Sequence, residues 1–266
     1  MPGRVSRGRY LFSPIEEWPN ASNTGVPAGT SLTAYSGPAT INTDNTVIDS
    51  KLITDCLVIG ADNVTITKSK FESNGCSWQL LNDWNSGATG LLVEDCEFDA
   101  LGNTTGDACI NINNAIIRRC NIHGTYDCVK FGNDLLFEDN YVHDPLIFGP
   151  DPHADGMQTL NANTTTIRHN TIIMPIDATS CIINGPADEL VNLTIENNLF
   201  AGANWVLYGG SPGTPTITNV QIINNWVSTQ IVSTGGGSGV FTDVEPPIVI
   251  SGNRWFDGPN AGQLIT

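Results

Sequence analysis

The chain has 266 residues, enough to bury a full hydrophobic core, and its composition fits neither a disordered polymer nor a collagen-like one. It carries 11 basic against 27 acidic residues, a formal charge of −16, and Arg4, Arg7 and Arg9 hold part of the basic charge at the N-terminus. Such a body repels nucleic acid, anionic lipid and, unless a cation bridges them, polyanionic sugars such as uronates; neutral glycans or proteins are the expected partners.

No run of 18 apolar residues is present, so no transmembrane helix or membrane insertion is expected. The stretch MPGRVSRGRYLFSPIEEWPN is basic but lacks an apolar core, so it does not read as a secretory signal. On that reading the chain is used without export or has lost its signal. Seven cysteines, at 56, 76, 96, 109, 120, 128 and 181, form an odd set without a CxxC pair. That pattern argues against a disulfide framework and a zinc ribbon, and for reduced, buried cysteines in a reducing cytoplasm.

Residues 1–43 are an N-terminal arm and cap. The turn-rich stretch SPIEEWPNASNTGVPAGTSL places Trp18 and Leu32 where they would cover an open first coil. From 44 to 258 a nine-residue unit recurs: DNTVIDSKL (44–52), NVTITKSKF (63–71), GLLVEDCEF (90–98), NAIIRRCNI (114–122), DLLFEDNYV (134–142), TTTIRHNTI (164–172), NLTIENNLF (192–200), NVQIINNWV (219–227) and PIVISGNRW (247–255). The fourth position is always apolar, from Val47 to Ile250, and so is the ninth, from Leu52 to Trp255. These two are out of phase for a single strand, so the chain must bend between them.

At the seventh position stand Ser50, Ser69, Cys96, Cys120, Asn140, Asn170, Asn198, Asn225 and Asn253. Asparagine tolerates left-handed backbone and stacks its amide on identical neighbours, as an inward corner of a coil requires. Units 19 to 30 residues apart, made of short β runs between Gly, Asn, Asp and Pro, predict an all-β, single-stranded parallel β-helix of about nine coils. At about 4.8 Å per coil this is a rod roughly 40 Å long.

A second strand follows each unit, best matched in ACINI (108–112), DCVKF (127–131), DGMQT (155–159), SCIIN (180–184) and NWVLY (204–208). Its third residue (Ile110, Val129, Met157, Ile182, Val206) is expected to point inward, and its fourth (Asn111, Lys130, Gln158, Ile183, Leu207) outward. The tail 259–266 either closes the last coil or passes to a neighbouring chain.

In that register His123 and His143 follow the ninth position of successive coils and stack. Asp127 and Asp155 share a column, with Lys130 and Gln158 beside them and His153 two residues before Asp155. The carboxylate pair suits glycoside hydrolysis, and His153 or His143 suits a general base for elimination. The set Asp127, Lys130, His143, His153 and Asp155 is therefore the catalytic candidate, and His123, Asn111, Asp144, Asp151 and Gln158 are the binding candidates. No cofactor is expected, although two histidines with Asp144 or Asp155 would also suit a divalent cation. A polar outer column is equally what a half-exposed strand supplies without any function.

The cysteine pairs 96/120 and 109/128 read as core ladders, and Arg118, Arg119 and Arg168 as partners of Glu94, Glu138 or Glu196 across rungs. Trp84, Trp205, Tyr208, Trp226 and Trp255 are candidate sugar-stacking faces, with Trp255 at a core position. GGGSG (235–239) is a loop without the strand-to-helix context of a phosphate site.

The stretches WPNASNTGVPAGTSL (18–32), NTVIDSKLITDCLVIGADNVTITKSKF (45–71) and GNRWFDG (252–258) resemble the right-handed parallel β-helix proteins of actinobacteria and their phages. In the phages such chains are minor tail or virion-surface proteins, and HADG (153–156) recurs among them. The resemblance implies a virion-surface protein assembled in the host cytoplasm, binding a host cell-surface glycan and other virion proteins, with side-by-side homotrimers plausible for such rods. A looser similarity, the triplet Asp151, Pro152 and His153, is to the DPH motif of mannuronan epimerases and related lyases. It implies the alternative of a secreted polysaccharide-active enzyme, hydrolase or lyase, although Phe148, Gly149 and Pro150 replace the YG that precedes the motif in those enzymes.

Overall fold

Each nine-residue unit breaks in two because its sixth residue turns the backbone left-handed. That column is Ser50, Lys68, Asp95, Arg119, Asp139, His169, Asn197, Asn224 and Gly252, all with φ between 47° and 70°. A second left-handed column stands at the first position: Asn45, Asn63, Gly90, Asn114, Asp134, Thr164, Asn192 and Asn219. Asn, Asp and Gly dominate this second column because they adopt positive φ at least cost. The left-handed residue of the first column thus lies one place ahead of the amide ladder, not at the ladder position where it was expected.

A computed structural model describes residues 18–83, 86–103, 107–148, 153–210 and 216–266, with the side chains of 160 and 186–188 left aside. Arg4, Arg7, Arg9, Trp84 and Asp151, like the rest of the DPH triplet up to Pro152, lie outside the described residues. The described chain is a parallel β-helix with no helix in it. Every strand pair in the stack is parallel, and each coil contributes to three faces.

Face A holds the first half of each unit, such as Leu91–Glu94, Ala115–Arg118 and Leu135–Glu138. Face B holds the second half in a ten-stranded sheet that includes Glu97–Asp99, Asn121–His123 and Tyr141–Val142. Face C holds the second strands, such as Gln79–Asn82, Ala108–Ile112 and Asp127–Phe131. Two long strands, Asp155–Arg168 and Ser180–Glu196, run unbroken from face C into face A.

The core is the space between the faces. Fourth-position residues Ile66, Val93, Ile117, Phe137, Ile167, Ile195 and Ile222 are wholly buried, as are ninth-position Phe71, Phe98, Ile122, Val142, Ile172, Phe200 and Val227. Each such side chain contributes about 1.5–3 kcal/mol relative to exposure. Phe71 and Phe98 stack at 4.4 Å.

At the seventh position Asn140, Asn170, Asn198, Asn225 and Asn253 form one buried ladder. The side-chain oxygen of each of the last four accepts both the backbone N–H and the side-chain N–H of the asparagine one coil before it. Asn140 Oδ1 accepts from Cys120 N, and the ladder continues through the thiols of Cys120 and Cys96, which face carbonyls of the preceding coil.

Two register expectations are corrected. The first unit is NTVIDSKLI (45–53), one residue later than expected, since Ile48 pairs with Ile66 and Ile53 with Phe71; Val47 is 66% exposed. On the later coils of face C, Leu207 aligns with Ile182 and Tyr208 with Ile183, so Tyr208 and not Leu207 continues the outward column.

A disulfide between Cys56 and Cys76 overturns the expectation of a wholly reduced set. The two lie in loops of successive coils with Cα atoms 5.7 Å apart, a proximity that spacing in the sequence does not reveal. The other five cysteines are free and buried.

Trp18 does not cap the first coil. It stacks on His169 at 5.1 Å and meets Phe256 of the last coil edge-on at 6.3 Å. From there the chain runs back along the stack: Gly25 N donates to Arg119 O, and Thr33 N to Ser50 O. The N-terminal segment is a strap along the rod, and only its end joins face B, through Thr33–Ala34. The C-terminal tail does close the last coil: Leu264 bridges Arg254 antiparallel, and Ile265 N donates to Asn253 O. This covers an edge that would otherwise expose unpaired amides.

Candidate functional site

The candidate residues divide between two faces. On face C the strands beginning at Ala108 and Asp127 pair in register, as do Asn111 with Lys130 and Lys130 with Gln158. The outward column is therefore Val58, Asn82, Asn111, Lys130, Gln158, Ile183, Tyr208 and Thr242. Beside it runs one connected polar chain. Asn82 Nδ2 donates to Gln79 Oε1 (2.8 Å), and Gln79 Nε2 to Asp107 Oδ2 (3.0 Å). Lys130 Nζ lies 2.6 Å from Asp107 Oδ1 and 3.5 Å from Asp127 Oδ2. Asp155 N donates to Asp127 Oδ1 (3.0 Å), and Ser180 Oγ to Asp155 Oδ1 (2.5 Å).

Asp127 and Asp155 are 5% and 1% exposed. Burial pushes the Asp127 carboxyl up to about 6 against the pull of the Lys130 ammonium. Burial, helped by the charge of Asp127, pushes Asp155 up to about 8. Near neutral pH the pair is thus one carboxylic acid and one carboxylate. Burial and then the charges of Asp155 and Asp243 raise the Tyr208 hydroxyl.

The histidines do not join this cluster. His123 and His143 stack as expected, with ring centroids 4.9 Å apart, but on face B, where His143 also stacks on Tyr141 at 4.1 Å. His143 Nδ1 lies 2.7 Å from Asp144 Oδ2 and Nε2 2.8 Å from Asn121 Oδ1; burial lowers its pKa. His123 sits between Glu97 (3.5 Å from Nε2) and Asp99 (3.7 Å from Nδ1). His153 is exposed, and its backbone N donates to Tyr126 Oη. A single lateral patch holding every candidate is therefore corrected to two. Of the two carboxylates considered for a cation with the histidines, Asp155 is separated from the stacked pair, on face C, whereas Asp144 lies beside His143.

Asp107, Gln79, Ser180 and the 70%-exposed Trp78 were not foreseen. Asp107 had a signal: GDACI and YDCVK each place an aspartate just before or at the start of the same strand. Trp78 had none, because its role depends on loop geometry; Tyr208 was expected as a sugar-stacking face, and only its place in the outward column was hidden, by a one-residue register.

Against this architecture, the family model for the right-handed β-helix region matches residues 44–266, most of the chain. The chain belongs to this right-handed β-helix family. Neither the curated proteins nor the solved structures contain a significant match. The β-helix fold is common to surface-binding and polysaccharide-active proteins, so the fold leaves the choice between them to the chemistry of the face.

Proposed function

We propose that this β-helix is a virion-surface protein that binds a neutral host cell-surface glycan along face C. The observation that carries the reading is the in-register outward column of Asn82, Asn111, Lys130 and Gln158, whose donors and acceptors repeat coil by coil. Aromatic surfaces flank it at Trp78 and Tyr208, and the buried Asn111 Oδ1 has no hydrogen-bond partner among the described residues. Polar groups in fixed positions beside apolar platforms are what sugar recognition needs. The charge of −16 favours a neutral polymer over a uronate. The virion setting follows the resemblance of residues 18–32, 45–71 and 252–258, and a homotrimer or contact with other virion proteins belongs to that setting.

Binding is favoured over catalysis because the carboxyl pair is nearly inaccessible and three of its four oxygens are engaged. The pair instead stiffens the face. One observation supports the alternative, hydrolysis or elimination on a polysaccharide: the two carboxyls divide into acid and carboxylate near neutral pH.

The test is binding to isolated cell-wall arabinogalactan of an actinobacterial host, with release of reducing ends measured alongside. Asn111→Ala and Gln158→Ala should each weaken binding about tenfold, the effect of losing roughly one well-placed hydrogen bond, with unchanged melting. Unchanged binding by both variants sinks the face-C assignment, and sugar release lost in Asp155→Asn replaces binding with catalysis. Absence of the chain from purified virions refutes the particle setting.

A further inference from the structure

Face B carries a second constellation that glycan binding does not use. Asp99 pairs in register with His123, and Glu97 with Asn121. Glu97 and Asp99 are two residues apart on one strand and so share its outward side. Three unlike donors, two carboxylates and an imidazole, are thereby held together by adjacent coils.

We propose that Glu97, Asp99 and His123 form a site for a divalent transition-metal ion of the zinc type. One ligand atom from each residue lies within 4.8 Å of the other two. In a tetrahedral zinc shell, donors bound at about 2.0–2.2 Å stand roughly 3.4 Å apart, so closure needs a movement of at most about 1.4 Å. Side chains of this length supply that by small rotations. The three side chains are 20–26% exposed, so an ion can reach them from solvent.

His123 is held in place by its ring contact with His143, which is in turn stacked on Tyr141. Its separations from Glu97 and Asp99, 3.5 and 3.7 Å, exceed the usual hydrogen-bond range of about 2.7–3.2 Å. The donors therefore face one another without closing on each other. Imidazole among carboxylates selects zinc, cobalt or nickel over calcium and magnesium, which prefer an all-oxygen shell.

Lys70 is the resident cation. Its Nζ lies 3.4 Å from Glu97 and 3.8 Å from Asp99, but only 2.8 Å from Glu72. Glu72 can keep the ammonium when an ion takes the other two carboxylates. Lys70 then acts as a competitor whose removal tightens metal binding, which a merely structural charge cluster does not predict.

The experiment titrates the full chain with Co2+, read by visible absorption, and with Zn2+, read by calorimetry, with thermal melts run on every variant. Saturable binding of one ion is expected. His123→Ala and Glu97→Gln should each weaken it at least tenfold, Lys70→Met should strengthen it, and Glu245→Gln, an exposed carboxylate elsewhere, should leave it unchanged. Absence of saturable binding overturns the proposal, as does binding that His123→Ala and Glu97→Gln both leave intact. If one of those variants melts abnormally, the other, together with Lys70→Met, decides.

Discussion

Replacing Asn198 by alanine removes the middle of the buried amide ladder, and the cost can be worked from its bonds. Asn198 Oδ1 accepts from Asn170 N and Asn170 Nδ2, and its own Nδ2 donates to Ile167 O and Asn225 Oδ1. Asn170 Nδ2 keeps two other acceptors, Phe137 O and Arg168 O, so it is not orphaned. The buried Asn170 N–H loses the acceptor it has in the ladder, at about 1–3 kcal/mol, and the two Nδ2 bonds add about 0.5–1.5 kcal/mol each. The sum centres on about 4 kcal/mol. For a chain of this size it corresponds to a fall in melting temperature of about 10 °C. Urea unfolding should show the loss, and hydrogen exchange should place it in the coils around 170 and 225, because a stacked repeat transmits stability chiefly to its neighbours. Asn198→Asp refines the test. It keeps the acceptor for Asn170 but sets an oxygen against Ile167 O and Asn225 Oδ1, so it should recover stability at acid pH, where the neutral carboxyl donates. A cost below about 1 kcal/mol for Asn198→Ala would refute the idea that the ladder holds the coils in register.

Two further outcomes concern pH and redox state. The folded pKa of Asp155, about 8, lies above the unfolded value of about 3.9. Its contribution is therefore full below about pH 4 and is lost as pH rises through 8, and Asp127, raised to about 6, acts in the same direction. Melting temperature should fall across that window in the wild type and fall less in Asp155→Asn; equal slopes would contradict the raised pKa. Joining residues 20 apart, the Cys56–Cys76 bond should contribute about 3 kcal/mol. Cys56→Ser should cost that much in non-reducing urea melts, whereas the five other thiols, buried and with Cys96, Cys109, Cys128 and Cys181 pushed up by burial, should stay inert to thiol reagents until unfolding.

The fold was legible because its determinants repeat. A fourth and ninth apolar residue with a small or amide residue at the seventh is a signal that nine copies average into certainty. Where two frames satisfied the pattern, it misled: Val47 and Ile48 are adjacent and both aliphatic, and only the pairing with Ile66 separates them. Leu207 and Tyr208 were confused in the same way. The site was half legible. Asp127, Lys130 and Asp155 share a strand type and so share a face; the repeat also places His143 on His123, but on face B, whereas His153 belongs to a loop whose direction no repeat fixes. The Cys56–Cys76 bond and Trp78 were hidden for that same reason, since loop residues meet through the path of the backbone and leave no periodic trace.

The strap carries an implication for how long this rod can be. Its two ends are anchored at different heights, with Trp18 against Phe256 of the final coil and Thr33 against the first strands of the stack. Removing a single coil from the middle would leave every remaining rung correctly stacked, yet displace one anchor by about 4.8 Å. The N-terminal segment thus works as a gauge: repeats can drift in sequence freely, but their number is matched to a fixed span of chain lying outside them.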